Sequence, residues 1–290
     1  MTKIAIASGK GGTGKTTVAV NLAVLLSETR RTALIDLDVE EPNSNLFLQG
    51  SLTGTTHIHR YVPSLIENRC TSCGLCQEVC NFHAVLMIGE KPMVFPQLCH
   101  GCFACSELCP AGALPMIPEP MGVINGSRRE ALDILEGCLD VGQEQAVPLI
   151  KETKKAALDQ FGTYEALLFD SPPGTSCPFV EAVSGSDYVL LVTEPTPFGL
   201  HDLKLAVETV RDMGLRFAVI INRDGIGDDR VQRWCDAQDI DVIAVIPDSR
   251  AAAESYSRGE LIYQSDIKLE ESFRQLIGEL EQRGMGGVAR

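Results

Sequence analysis

No stretch of this 290-residue chain approaches the ~20 consecutive apolar residues that a membrane-spanning helix needs. The longest runs, such as Tyr188 to Val192 and Phe217 to Ile221, have the length of a buried strand. Basic residues are short as well. Lys and Arg number 25 against 39 Asp and Glu, and the resulting net charge of −14 repels polyphosphate backbones, so nucleic acid is not expected as a partner. No export signal is expected either, because Met1-Thr2-Lys3 leads directly into a strand-like run and a glycine loop. A cytoplasmic location without stable membrane anchoring is the expectation. In that compartment thiols stay reduced, which turns the eleven cysteines away from disulfides and towards metal ligation or catalysis.

What is present is ordinary globular material, 44% hydrophobic and 22% charged, which excludes a disordered or fibrous chain. Lys3 to Ala7 reads as a buried strand, Ser8 to Gly14 as a glycine-rich turn, and Thr16 to Leu26 as a helix. Thr32 to Asp36 is a second strand. Further buried runs end at Asp170, Thr193, Asn222 and Pro247, with helical patterns between them. This alternation predicts an α/β fold, a mostly parallel sheet flanked by helices, with ligands bound at the carboxyl edge of the strands. Leu269 to Gln282 carries apolar residues at helical spacing and predicts a packed closing helix.

Between about Leu52 and Met121 the pattern changes to cysteines, prolines and two short extended runs, Ala84 to Ile88 and Met93 to Phe95. Eight of the eleven cysteines lie here, in two copies of one pattern offset by 29 residues. The copies are Cys70-x₂-Cys73-x₂-Cys76-x₃-Cys80 and Cys99-x₂-Cys102-x₂-Cys105-x₃-Cys109-Pro110, the spacing of bacterial two-cluster ferredoxins. Three close thiolates wrap one cubane and the fourth serves the other. One 4Fe-4S cluster would take Cys70, Cys73, Cys76 and Cys109, and the other Cys99, Cys102, Cys105 and Cys80. Zinc is the alternative, which triplet-plus-one spacing fits poorly. Asn81 follows Cys80 where Pro110 follows Cys109, giving the first copy an amide that proline lacks. Of the remaining cysteines, Cys138 and Cys235 read as small residues in helix-like surroundings, and Cys177 directly follows a polar loop.

Gly9-Lys10-Gly11-Gly12-Thr13-Gly14-Lys15-Thr16 matches G-x-x-x-x-G-K-[ST] between a strand and a helix, the context that gives this motif its meaning. Its glycines let backbone amides face phosphate, Lys15 reaches the β and γ oxygens, and the Thr16 hydroxyl can ligate Mg²⁺. A purely structural glycine turn is the alternative. With Lys10 as a second lysine, the string KGGTGKTT resembles the deviant Walker A of the MinD, ParA, Mrp and nitrogenase iron protein superfamily of P-loop ATPases.

That resemblance implies ATP and Mg²⁺ as cofactors and an ATP-dependent homodimer, in which Lys10 reaches the partner's phosphates. Gly11, Gly12, Thr13, Gly14, Lys15, Thr16 and Thr17 would surround the nucleotide. Leu34-Ile35-Asp36-Leu37-Asp38 resembles the first switch, with Asp38 acting on the attacking water and Asp36 near the metal. Asp170-Ser171-Pro172-Pro173-Gly174-Thr175-Ser176 resembles Walker B and the second switch, with Asp170 on Mg²⁺ and Gly174 near the γ-phosphate. Asn222 resembles the adenine-reading residue, and Pro247 and Asp248 stand where the family's backbone frames the base.

The expected organisation is an ATPase domain over residues 1–55 and 121–290, interrupted at 56–120 by a ferredoxin-like domain. Such an arrangement implies a slow ATPase gating electron transfer to or from a partner protein. Two alternatives stay open: an iron-sulfur or metal cofactor assembly or carrier ATPase acting on a maturation partner, and a redox-sensing regulatory or positioning ATPase.

Overall fold

The computed structural model describes residues 1–284. The chain opens with β1 (Thr2–Ala7), α1 (Lys15–Ser27), β2 (Thr32–Asp36) and the short α2 (Ser44–Leu48). A long strand, β3 (Ser51–Pro63), then leads away to the cysteine-bearing segment. That segment holds α3 (Leu75–Glu78), the hairpin β4 (Val85–Ile88) and β5 (Lys91–Val94), and α4 (Ala104–Glu107). The chain returns along β6 (Met116–Arg129) and turns into β7 (Leu132–Leu139). It continues through α5 (Ala146–Phe161), β8 (Ala166–Asp170), α6 (Cys177–Val183), β9 (Tyr188–Thr193) and α7 (Pro197–Asp212). The last elements are β10 (Phe217–Asp224), α8 (Arg230–Ala237), β11 (Val242–Pro247), α9 (Arg250–Ser257) and α10 (Ile267–Gln282).

Nine strands form one sheet in the order β11-β10-β9-β1-β8-β2-β7-β6-β3. From β11 to β7 all pairings are parallel, while β6 and β3 are antiparallel additions at one edge. The expected parallel α/β sheet is thus present. Its inner strands are buried on both faces, which explains their near-continuous apolar sequences. Ile4, Ile6, Leu34, Leu168 and Leu190 pack on one face with α1 and α10. Ala5, Ala7, Ile35, Phe169 and Leu191 pack on the other with α5, α6 and α7. Phe273, Leu276 and Leu280 seat α10 as its spacing predicts.

Some expectations need correction. The polar stretch after Leu52 is the extended edge strand β3, with residues 51–57 all exposed. The second short extended run starts at Lys91 rather than Met93, because a two-residue turn at Gly89 and Glu90 suffices to close the hairpin. Cys138 lies half-buried on β7, not on a helix. Among the described residues no helix is long and apolar enough to cross a membrane.

Residues 64–115 sit at the far end of the β3–β6 ribbon. They contribute little core of their own: the two small buried clusters there comprise Val62, Ala84 and Cys99, and Val85, Cys105 and Leu114. So few buried residues cannot offset the conformational entropy of the segment. The backbone of the repeat is nevertheless reproduced in both halves. Left-handed φ angles recur 29 residues apart at Ser72 and Gly101, Gly74 and Phe103, and His83 and Gly112. Ser72, His83 and Phe103 adopt this region without glycine's freedom, each at a cost on the order of 1–3 kcal/mol that the surroundings must impose.

Candidate nucleotide and cysteine sites

β1 delivers the chain to the glycine loop, and α1 begins at Lys15, so the loop's amides gather at a helix N-terminus at the carboxyl edge of the sheet. Gly14 holds φ +90°, and a Cβ there would lie 2.1 Å from Asn222 Nδ2. That amide donates to Thr13 O at 2.8 Å, so β10 braces the loop from behind. Gly11 and Gly12 face open space. Thr13 Oγ1 is buried without a partner, an orphaned polar atom within the cradle. The second loop is tied on through Gly174 N, which donates to Ser8 O at 3.0 Å.

Three carboxylates surround one ammonium. Lys15 Nζ donates to Asp170 Oδ1 at 3.2 Å and lies 3.8 Å from Asp38 Oδ2. Burial works against the Lys15 charge, but Asp170, Asp38 and Asp36 outweigh it and hold its pKa above the ordinary lysine range. Asp36 and Asp170 are opposite each other on adjacent strands, both fully buried. Burial, and then the Asp170 charge, push the Asp36 carboxyl well above the usual range. Asp38 is pushed up to about 6, first by burial, against the pull of Lys15, with Asp170, Glu40 and Glu41 adding to the rise. Three carboxyl groups thus face one ammonium in a largely buried pocket, an environment that favours a further positive charge. Thr16 stands on the first turn of α1 beside it.

Asn222, Pro247 and Asp248 line one cavity with Gly14 and Thr17, about 560 Å³ including its solvent-open mouth. Tyr256 of α9 forms part of its wall. The side chain of Lys10 turns away from the phosphate cradle; its Nζ donates to Glu194 of the same chain at 2.6 Å.

Sequence reasoning missed several partners. Glu136 on β7 stands opposite Asp36 and accepts from Asn45 N at 2.9 Å, and burial raises its pKa despite that bond. Ser44 Oγ donates to Asp170 Oδ2 at 3.5 Å. Glu194, 184 residues from Lys10, carries no local pattern that would have revealed it.

The cysteines gather in two groups. Cys70, Cys73, Cys76 and Cys109 line one shallow pocket, about 350 Å³ including its solvent-open mouth, and Cys80, Cys99, Cys102 and Cys105 line another, about 310 Å³ counted the same way. Each group takes three thiols from one copy of the repeat and one from the other. The thiols surround a volume rather than a point: among the described residues no three His, Cys, Asp or Glu side chains could hold a single ion. Backbone amides aim at the sulfurs. Ala84 N donates to Cys80 Sγ at 3.2 Å and Ala113 N to Cys109 Sγ at 3.3 Å, the same four-residue offset in both halves. The exchange of Asn81 for Pro110 leaves that bond unaltered. Gly101 N donates to Cys99 Sγ at 3.4 Å. Cys177 is exposed at the start of α6, and Cys235 is fully buried on α8.

Residues 4–262 match the family described as the CobQ/CobB/MinD/ParA nucleotide binding domain. An uncharacterized protein of Methanocaldococcus jannaschii is 32% identical over 259 residues, covering 89% of this chain and 90% of its own. An iron-sulfur cluster carrier protein of Pyrococcus horikoshii is 22% identical over 98% of this chain and 89% of its own. The septum site-determining protein MinD of Pyrococcus horikoshii, solved with Mg-ADP, superposes with a TM-score of 0.62 at 22% identity, over 100% of this chain and 99% of that one.

Proposed function

The chain belongs to the CobQ/CobB/MinD/ParA nucleotide-binding domain family, and from that premise we propose that it is an ATP-hydrolysing switch that gates electron transfer through two 4Fe-4S clusters to or from a partner protein. The observation that carries this reading is the pair of four-thiol cavities at the end of the β3–β6 ribbon, the edge of the same sheet whose strand β1 leads into the phosphate loop. Four thiols spread around a volume, with amides aimed at sulfur, suit a cubane better than a tetrahedral ion. The strained Ser72, His83 and Phe103 backbones fit a segment shaped by what it wraps. On this reading residues 56–120 form a ferredoxin-like domain within an ATPase domain made of 1–55 and 121–290.

When bound, Mg²⁺ offsets charge on the phosphates and the clusters carry the electrons. The residues of the chain do the rest. The amides of Gly11 to Thr17 and the Lys15 ammonium hold the phosphates. Asp170, on the strand beside Asp36, and the Thr16 hydroxyl would supply oxygen ligands for the cation. Asp38 accepts a hydrogen bond from the attacking water and aligns it. Lys10, released from Glu194 and extended to the other subunit of a homodimer, adds positive charge at the transferring phosphoryl group. Gly174, tied to Ser8, links this event to the second switch. Asn222 and the Pro247 to Asp248 backbone frame the adenine.

The test is to measure cluster potentials and the rate of partner reduction with ADP and with a nonhydrolysable ATP analogue, in anaerobically prepared protein. Different values in the two states are expected; identical ones remove the gating. A second reading is favoured by a relative that aligns with nearly the whole chain and is named an iron-sulfur cluster carrier. In it the clusters are cargo or reductant during cofactor assembly. Labelled iron moving to an apo-acceptor would select it, and clusters that do not exchange would select electron transfer.

A further inference from the structure

α2 has five residues, too few to persist as a helix by itself, and no side-chain cap at its N-terminus. Groups from other elements hold it at both ends. At its start, Asn43 N and Ser44 N each donate to Asp36 Oδ2 at 3.0 Å, and Asn45 N donates to Glu136. At its end, Arg129 Nη1 donates to Leu48 O at 3.2 Å and Phe47 O at 3.4 Å. On its flank, the Phe47 ring packs on Tyr256 with centroids 5.0 Å apart.

These contacts join three places. Asp36 also accepts from Asp38 N at 3.0 Å, so one carboxylate closes both ends of the loop 38–44 that follows the first-switch segment. Tyr256 belongs to the wall of the base cavity. Beyond α2, Gly50 N is held by Asn45 Oδ1 at 2.8 Å and β3 begins one residue later, while Arg129 is the last residue of β6. Both roots of the ribbon are therefore fastened to the element that touches both ends of the nucleotide site.

We propose that α2 passes the occupancy of the nucleotide site to the cysteine segment, with Glu136 and Arg129 as the positioning residues that fix it to the sheet and to the ribbon. The inference rests on the nucleotide-switch reading above and adds the route. Twelve of the thirteen residues of β3 pair with β6, and only its last residues, from His59 to Pro63, run on beyond Gly122 where β6 leaves β7, so a shift of this sheet edge at α2 is carried along two paired strands to the cysteine segment. Coupling of this kind needs a contiguous packed path with an element that both sites bias, and α2 is placed to be that element.

The experiment is hydrogen exchange on the intact holoprotein, with Mg-ADP and with a nonhydrolysable Mg-ATP analogue. In the wild type, amides of residues 51–63 and 116–129 should differ between the two states by about threefold or more in exchange rate. Arg129→Ala should abolish that difference while nucleotide affinity stays within about threefold, and Arg129→Lys, which keeps a cationic donor, should restore part of it. Should Arg129→Ala fail to fold, Glu136→Gln provides the same comparison and should diminish the difference. A purely structural Arg129 would lower protection equally in both nucleotide states and leave the difference intact, which overturns the proposal. A wild-type ribbon that ignores a bound nucleotide overturns it too while sparing the ATPase reading. Absence of nucleotide binding overturns both.

Discussion

Lys10 Nζ lies 2.6 Å from Glu194 Oε1 in the same chain, and Arg223 Nη1 lies 3.6 Å from the other oxygen of that carboxylate. The lysine that would serve a second subunit is thus held within its own chain, on a carboxylate just past the end of β9. The pair is partly buried, with 29% of the Lys10 side chain and 12% of the Glu194 side chain exposed. Releasing such a charge-assisted contact costs on the order of 1–3 kcal/mol. Closure of the proposed homodimer around ATP would have to offset that cost.

Removing the carboxylate charge should therefore favour closure. Glu194→Gln is expected to shift ATP-driven dimerisation to about tenfold lower protein concentration, as read by sedimentation. Lys10→Ala should spare ATP binding and lower hydrolysis by at least about tenfold, because a cation at the transferring phosphoryl group is lost. Intact hydrolysis in Lys10→Ala would remove the role assigned to that lysine.

The Asp38 carboxyl, pushed up to about 6, makes a pH-dependent stability prediction for the nucleotide-free protein. A folded-state pKa above the unfolded value means that folding disfavours the charged form. Its stabilising contribution is full below about 4 and is lost as pH rises through about 6. Asp38→Asn, which never ionises, should then be more stable than the wild type at pH 7.5 by about 1–2 kcal/mol, allowing for solvent screening. The advantage should fade as pH falls from 6 to 4. Thermal melts across that range check it, and a gap that grows at low pH would contradict the sign.

The alternation of buried strands and helices was legible because β1, β2, β8 and β9 are covered on both faces and read as unbroken apolar runs. The ribbon was not. β3 carries Thr53, Thr55, Thr56 and His57 on an exposed edge, where β-branching rather than hydrophobicity favours the strand. β6 contains Pro118 and Pro120, which disguise it; both lie before Gly122, where pairing with β7 starts, so neither removes a bond on that side. The loop of Gly9 to Thr16 and the cysteine spacing were legible because local geometry fixes them. Glu194, Glu136 and Arg129 meet their partners only through the fold, and no local pattern announces them.

The brace behind the phosphate loop gives a prediction of its own. In Gly14→Ala the new methyl would meet Asn222 Nδ2 at 2.1 Å, on a residue held at φ +90°. Either the loop or Asn222 must shift, breaking the bond to Thr13 O. Nucleotide affinity should fall by at least about tenfold, with a stability loss on the order of 1–3 kcal/mol. Calorimetric titration with ATP measures the first and thermal unfolding the second; unchanged affinity would show that Asn222 does not set the shape of the loop.

If each four-thiol pocket holds a 4Fe-4S cluster as proposed, the crossed grouping of thiols separates the two by which half of the repeat each variant touches. Cys109 belongs to the second copy of the motif, yet it lines the cavity of Cys70, Cys73 and Cys76. Cys109→Ser should therefore degrade the cluster assigned to the first copy and leave that of Cys99, Cys102 and Cys105 in place. Iron should drop from about eight per chain to between about four and seven, since a three-iron remnant is one product of losing a ligand. Cys73→Ser should disturb the same cluster. Electron paramagnetic resonance of the two reduced variants should show the same surviving signal, and Cys80→Ser should leave the other one. Were Cys109→Ser and Cys102→Ser to lose the same signal, each cluster would draw its ligands from one copy alone, and the crossed assignment would fall.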